Sequence, residues 1–336
     1  MPTIAEVAAM AGVSPATVSR VINGRTSVAT PTRERVLAAI EELDYTPNRM
    51  ARALSLGKSA AIYVVAPVSD NPSVAQRLHG LATTLNQSAF ELILHDVETA
   101  AQTARLLSEL ATPDRIAAVI LISVRPHSDQ LAKLAAAEVP VVFVNANVPG
   151  VDCVFVDNLE GGRLAARHLL SIGHRKLAFV GDTEDSDLGF TGSRDRRIAF
   201  EETLNAAGVR LPDEFIQLGA HQADDARQAT LELLDLNDPP TAIFAASDGQ
   251  AIGVLEAAYS RELDVPGDLS VIGFDDISSA KGMGLTTIRQ PLEESGTFGA
   301  RLALEAVEHK TLGMAMELPV ELIIRRSTAP PNPERE

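Results

Sequence analysis

Apolar positions recur three and four apart over the first 45 residues, whereas from Ala60 onward they run together in short blocks. The first spacing belongs to amphipathic helices and the second to strands covered on both faces. Thr3 precedes Ile4, Val7 and Ala8, with Glu6 three residues on, which is the pattern of a capping box and predicts a helix start. Gly12 ends that helix. Ser14 caps a second one whose first position is Pro15, where a missing N–H costs nothing. Val18, Val21 and Ile22 share its inward face, and Pro15, Ala16, Ser19 and Arg20 share the outward one. Thr30 with Pro31 opens a third helix, with Val36, Leu37, Ile40 and Leu43 as its apolar stripe. Three short helices with a glycine turn between the first two form a helix-turn-helix unit.

The blocks that follow predict nine strands, at 60–67, 90–96, 117–123, 140–145, 153–158, 176–181, 215–219, 241–247 and 269–275. Most are near-continuous apolar runs separated by helical stretches, so parallel sheets covered by helices are expected. The first five and the last four form two sets, which suggests two α/β lobes. In open α/β sheets, small-molecule sites lie at the carboxyl ends of strands. Asn145, Ser247 with Asp248, and Asp275 with Asp276 stand at such ends, and Arg194, Arg196 and Arg197 stand near a helix start. Each has an ordinary reading as a cap or a solvated loop. Together they suit a polyhydroxyl or anionic ligand.

Composition refines this picture. The 336 residues are 46% hydrophobic but only 4% aromatic, with no tryptophan, so the core is built from Ala, Val, Leu and Ile. The one cysteine, Cys153, lies in an apolar strand and is expected to be a buried thiol, which excludes a disulfide framework. No apolar run reaches the length of a membrane span, and the N-terminus lacks a basic signal region, so a cytoplasmic protein with no membrane partner is expected. Net charge is −16, yet residues 1–58 hold seven basic against five acidic side chains and carry +2, leaving −18 on the rest. Only the head is suited to approach a polyanion.

The second helix of a helix-turn-helix unit enters the DNA major groove with its N-terminal residues at base edges. Arg20 is suited to guanine O6 and N7, and Pro15 and Ala16 to shape or a thymine methyl. Thr17, Ser19 and Asn23 are short donors suited to phosphates. The alternative is a helical cap on an enzyme or on a stand-alone binding module. At residues 3–24, TIAEVAAMAGVSPATVSRVING, followed by YTPNRMARALSLGKS at 45–59, the chain resembles the DNA-binding head of the LacI/GalR family of bacterial transcription regulators. That resemblance implies a hinge helix in PNRMARALSL (47–56), with Asn48, Arg49 and Ala51 at the DNA and Leu54 wedged into the central minor-groove step. A segment this short is marginal alone, so folding on binding is expected.

The resemblance extends over nearly the whole chain and implies a body with the fold of periplasmic sugar-binding proteins. In RRIAF (196–200), Arg196 matches the effector-contacting arginine, with Ala199 in place of a glycine. Asp275 in GFDD matches the ligand-binding aspartate. Ser247 stands where an asparagine is usual, Asn145 at a further pocket position, and His221 where many members have an aromatic. After SDNP (69–72) the family often places a stacking aromatic, but here stands Ser73. Asn71 is expected chiefly to turn the chain before a helix at Pro72. The resemblance thus implies a pocket more polar than a typical sugar site, for a sugar, polyol or sugar phosphate suited to Arg194 and Arg196.

No G-x-S-x-G, P-loop, H-E-x-x-H or dinucleotide fingerprint is present, and the seven histidines lack metal spacing, so neither catalysis nor a metal or cofactor is expected. The expected layout is a helix-turn-helix domain at 1–46, hinge helix and linker at 47–58, and an effector-binding and dimerisation domain at 59–336. Its proline-rich tail 327–336 is expected to be disordered. The resemblance implies a homodimeric, effector-controlled regulator, most often a repressor, on a near-palindromic operator.

Overall fold

The structure, a computed structural model, describes residues 2–22, 28–43, 45, 61–69, 71–111, 116–183, 188–309 and 313–333. The chain divides into two units, Met1–Ala60 and Ala61–Glu336. Asn23, Asn48, Arg49, Ala51, Leu54 and the hinge segment 47–58 lie outside the described residues.

In the first unit, α1 (Ile4–Ala11) begins with the expected capping box, Thr3 and Glu6 each accepting from the other's backbone, and ends at Gly12 in the left-handed region. The second helix, α2 (Pro15–Ile22), starts where the Ser14 hydroxyl accepts from the Thr17 N–H at 3.2 Å. A third, α3 (Thr30–Glu42), completes the unit. Val7, Val18, Val21, Val36 and Ala39 form its core. Leu37, read from sequence as part of the inward stripe, is 51% exposed. Ala39 is buried instead, three positions after Val36 on the face that α1 and α2 cover.

All nine predicted strands are present in the second unit: β1 (Ala61–Ala66), β2 (Glu91–Asp96), β3 (Ala118–Ile122), β4 (Val141–Val144), β5 (Asp152–Val156), β6 (Leu177–Asp182), β7 (Ile216–Gly219), β8 (Ala242–Ala245) and β9 (Ser270–Asp275). Three more follow, β10 (Thr286–Arg289), β11 (Ala315–Leu318) and β12 (Glu321–Ile323). One sheet has the order β11-β5-β4-β3-β1-β2 and the other β12-β10-β9-β8-β6-β7. Counted from the start of each lobe, the two orders are the same. Among the described residues, every strand pairing is parallel except that of β12 with β10.

The first lobe packs α4 (Pro72–Leu85) and the late helix α12 (Leu292–His309) together against its sheet, with α5 (Ala100–Leu110) and α6 (Ser128–Ala136) covering a second apolar cluster. The second lobe is flanked by α7 (Asn158–Ser171) with α8 (Gly192–Ala206), and α9 (Ala223–Leu234) with α10 (Asp248–Ser260); a short α11 (Ala280–Met283) precedes β10. Glycine lets three of these helix pairs touch backbone to backbone. A Cβ on Gly296 would lie 1.9 Å from the Arg77 carbonyl oxygen, on Gly162 2.2 Å from that of Arg196, and on Gly253 2.0 Å from that of Ala223.

The chain passes between lobes three times, at Asp157, at 290–291 and at 319–320. The tail expected to be disordered from 327 is instead docked over its first residues. Ser327 Oγ donates to the Val271 carbonyl at 2.6 Å, and the Ala329 N–H donates to Ser270 Oγ at 3.0 Å. Prolines remove backbone donors, but the hydroxyls of Ser327 and Thr328 and the carbonyl of Ala329 restore enough bonds to hold the segment, one of them to His174 Nε2 at 2.9 Å. Cys153 is fully buried in β5, as expected.

Candidate functional site

Two regions offer polar groups to a partner. On α2, Pro15, Ala16 and Arg20 are exposed and Ser19 is half-buried, while Val18 and Val21 on the opposite face are buried. The four outward residues, at i, i+1, i+4 and i+5, make one stripe. Thr17 lies between the faces, and its hydroxyl is 2.9 Å from that of Ser14, so part of its capacity serves the helix cap rather than a phosphate.

The second region is the cleft between the lobes, and the carboxyl ends of strands from both sheets build it, as α/β architecture requires. A central chamber of about 510 Å³ brings together Asn71, Ser73, Asn145, Arg196, His221 and Asp275. Three of its lining residues, Ser123 (φ 54°), Asn145 (φ 66°) and Asp275 (φ 124°), end strands in the left-handed region without being glycine. Such strain, about 1–3 kcal/mol per residue, concentrates where the surrounding structure fixes side chains for a ligand. Asn145 is steadied by donating from Nδ2 to Ser123 Oγ at 2.8 Å.

Arg196, on α8, is buried with its guanidinium stacked 3.5 Å above the Phe274 ring. Its Nε donates to Asn158 Oδ1 at 2.9 Å and its Nη1 to the Ala246 carbonyl at 2.5 Å. Burial pushes the guanidinium pKa down, and the Asp275 and Asp182 charges oppose that. Burial likewise pushes the Asp275 carboxyl up, against Arg196 and Arg77. Gln290 Nε2 donates to Asp275 Oδ1, and Gln290 Oε1 accepts from Arg77 Nη2 at 2.8 Å. Arg77, on α4 one turn past Ser73, is 1% exposed, and burial lowers its pKa to about 10, so it stays a cation at neutral pH.

Also on the second lobe, His221 Nδ1 donates to Asp182, 2.9 Å from Oδ1, and Gln250 Nε2 donates to the same oxygen at 2.9 Å. Burial acts to lower the His221 pKa, but the charge and hydrogen bond of Asp182 together raise it. Beneath the cleft, Asp248 accepts from the Thr287 hydroxyl at 2.6 Å and from the Ile277 N–H at 2.9 Å. Burial, reinforced by Asp275, pushes its carboxyl up to about 8.

Two further chambers adjoin the central one. The first, about 500 Å³, shares Asn71, His221 and Asp275 with it, and here lies Ser247, whose hydroxyl caps α10 by accepting from the Gln250 N–H at 3.1 Å. The second, about 400 Å³, shares Ser123, Asn145 and Phe190 and holds Arg194. Arg194 and Ser247, read from sequence as parts of one pocket, therefore stand in separate side chambers, and Arg194 is already paired with Asp195 at 3.1 Å. Asn71 caps α4, its side chain accepting from the Val74 N–H and from the Ser73 hydroxyl, and also lines the central chamber.

Among the described residues, no group of three or more His, Cys, Asp or Glu could hold a metal ion, and no helix is long and apolar enough to cross a membrane. Residues 3–48 match the bacterial regulatory proteins of the lacI family, and residues 166–328 match the periplasmic binding protein-like domain. The HTH-type transcriptional repressor PurR of Mannheimia succiniciproducens is 31% identical over 97% of this chain and 98% of its own. The chain belongs to the LacI family.

Other LacI-family relatives agree over comparable lengths. The HTH-type transcriptional regulator DegA of Bacillus subtilis is 31% identical over 98% of this chain and 99% of its own. Among solved structures, the lac repressor dimer bound to operator and the anti-inducer ONPF matches with TM-score 0.82 and 27% identity, covering 98% of this chain and 99% of that one. A CelR–cellobiose complex matches with TM-score 0.71 and 31% identity, over 97% and 100%.

The sequence reading of this LacI-family chain missed Phe190, Asp182, Gln290 and Arg77. Phe190 carried a signal, an aromatic in a glycine-flanked loop after a strand end, LGFTG. Arg77 carried another, a charge on the apolar stripe of Val74, Leu81 and Leu85. Asp182 and Gln290 only make sense once tertiary structure brings their partners to them.

Proposed function

We propose that the chain is a transcriptional repressor that binds a near-palindromic operator as a homodimer, with its affinity for DNA set by a sugar or sugar derivative held between the lobes. In this reading residues 1–46 are the DNA-binding domain, 47–58 the hinge helix and linker, and 59–336 the effector-binding and dimerisation domain. Pro15, Ala16 and Arg20 read bases, and Arg196 and Asp275 hold the effector. The observation that carries the reading is the cleft itself, where the buried Arg196 of α8 and the buried Asp275 at the end of β9 line one chamber in a chain that also presents the α2 stripe. The names of its relatives support repression and operator binding. Pairing with a second copy is supported by Leu94 and Leu218, exposed on the sheet-edge strands β2 and β7. Closure of the lobes on an effector is the proposed switch, worth about 1–3 kcal/mol of coupling.

Nuclease footprinting with the full-length protein is expected to protect one two-fold symmetric site. Arg20→Ala is expected to lose about 1–3 kcal/mol of discrimination at one base pair in each half-site. Equal weakening on every sequence would remove the base-reading role. In thermal unfolding, an effector at about 100 times its Kd adds about 2.7 kcal/mol; that shift must vanish in Arg196→Ala.

A further inference from the structure

We propose that the effector is a disaccharide, with one ring in the central chamber and the second in the Arg194 chamber. The inference rests on the sugar-effector reading above and adds ligand size and a second subsite to it. The two chambers, of about 510 and about 400 Å³, share one wall, made by Ser123, Asn145 and Phe190. Small-molecule pockets run from roughly 300 to 1,000 Å³, so each chamber by itself is of ligand size.

Phe190 gives the shared wall an aromatic face. Its ring lies over the first residue of α8, where a Cβ on Gly192 would come within 2.4 Å of it, so the glycine makes the ring's position possible. A pyranose offers an apolar C–H face and a rim of hydroxyls, which call for an aromatic surface beside planar polar groups. The sequence places no aromatic at 73 or 221, and Phe190 supplies that surface from a different loop, bordering both chambers at once.

The Arg194 chamber also has the polarity of a sugar site. Arg194 Nε and Nη2 reach Asp195 Oδ1 at 3.3 and 3.1 Å, and the Thr191 hydroxyl donates to Asp195 Oδ2 at 3.1 Å. With Asp157 and Glu317 lining the chamber beside Arg125, its carboxylates outnumber its cations, so there is no net demand for an anion, and fixed polar groups of this kind suit neutral hydroxyls. Asn158, the acceptor of Arg196 Nε, lines the same chamber, so the two subsites are joined through one hydrogen bond. The Ser247 chamber is less suited to a second ring: Val68, Pro72, Ala75, Ile252 and Ile277 make much of its wall, and no phenyl ring lines it.

The test is titration calorimetry on the full-length protein with glucose, galactose, mannose and xylose, each alone and as its own disaccharide. At least one disaccharide is expected to bind about tenfold or more tighter than its single ring, the equivalent of about 1.4 kcal/mol. Arg194→Ala, a change at an exposed side chain, is expected to lower the affinity for that disaccharide severalfold and leave that of the single ring unchanged. Arg196→Ala is expected to abolish both. A single ring that binds as tightly as every disaccharide, or a disaccharide indifferent to Arg194→Ala, overturns the two-subsite inference while leaving the sugar-effector reading standing. If no saccharide of either length binds, the sugar-effector reading itself falls, and this inference with it.

Discussion

The two lobes of the body share a strand order and differ in what they bring to the cleft. From the first come Ser73, Ser123 and Asn145, hydroxyls and an amide, with Glu98 the one carboxylate among its lining residues; from the second come Arg196, His221, Asp182 and Asp275, charged and bonded into networks. A duplicated architecture has thus kept its strand ends and divided its chemistry. The charged wall is set by fixed hydrogen-bond partners, Arg77 of the first lobe among them, and is preorganised, so a ligand there has little ordering to impose. The neutral wall is made of short side chains that are cheap to desolvate and adaptable in their hydrogen bonding.

Between the two walls, the largest effect is expected at Arg196. Arg196→Ala removes a charge that offsets the buried Asp275 and leaves Asn158 Oδ1 and the Ala246 carbonyl without their donor, at about 1–3 kcal/mol for each buried acceptor, to be read from urea unfolding. Ser123→Ala, on the other wall, deletes one neutral hydrogen bond with Asn145 and is expected to cost only about 0.5–1.5 kcal/mol. Equal losses would erase the distinction between the lobes.

Next in size are the helix contacts behind each wall. Gly162→Ala and Gly296→Ala each push a methyl into a neighbouring backbone carbonyl, for about 1–3 kcal/mol of destabilisation. The first displaces the α8 backbone at Arg196 itself. It is therefore expected to weaken effector binding by more than the second does, a difference that calorimetry will read.

Two effects are expected from pH, and both have a definite sign. Asp248 holds its proton to about 8 in the folded protein but gives it up near the ordinary carboxylate value when unfolded. Its contribution to stability therefore falls as pH rises between those two values. Asp248→Asn, which keeps a neutral side chain for Thr287 and Ile277, is expected to flatten that fall in urea midpoints taken across the range. His221, raised by Asp182, contributes stability that is complete below its unfolded value of about 6.5 and is lost as pH rises through the higher folded one. This increment is the smallest, since the ring is partly exposed and screened, and His221→Gln is expected to remove it.

Much of this was legible in the sequence where a pattern is local. The Thr3 and Glu6 capping box, the Ser14–Pro15 helix start and nine apolar strands are decided within a few residues of themselves, and the structure has them all. The strands that sequence reasoning missed are TTIR at β10, AMEL at β11 and ELI at β12, short and of mixed polarity, which exist because a neighbouring strand pairs with them. Leu37 was misread for a related reason: periodicity says that a stripe exists, while packing against α1 and α2 decides which of its members is covered. In the cleft, Arg196 and Asp275 were readable as residues at element ends. The bond between Asp275 and Gln290 was not, since it joins positions brought together only by the pairing of β9 with β10.

The three passages between the lobes bear on how the body is able to bend. A joint of one strand swivels in any direction, but three side by side behave like the leaf of a door, with one easy rotation and the others stiff. The first passage begins α7 at Asn158, which holds Arg196, and the second carries Gln290, which holds Asp275 and Arg77. At the third, Val320 packs against the cores of both lobes. A molecule that pulls on Arg196 or Asp275 therefore pulls on a pin of the joint itself, and grip and swing are two ends of one short lever.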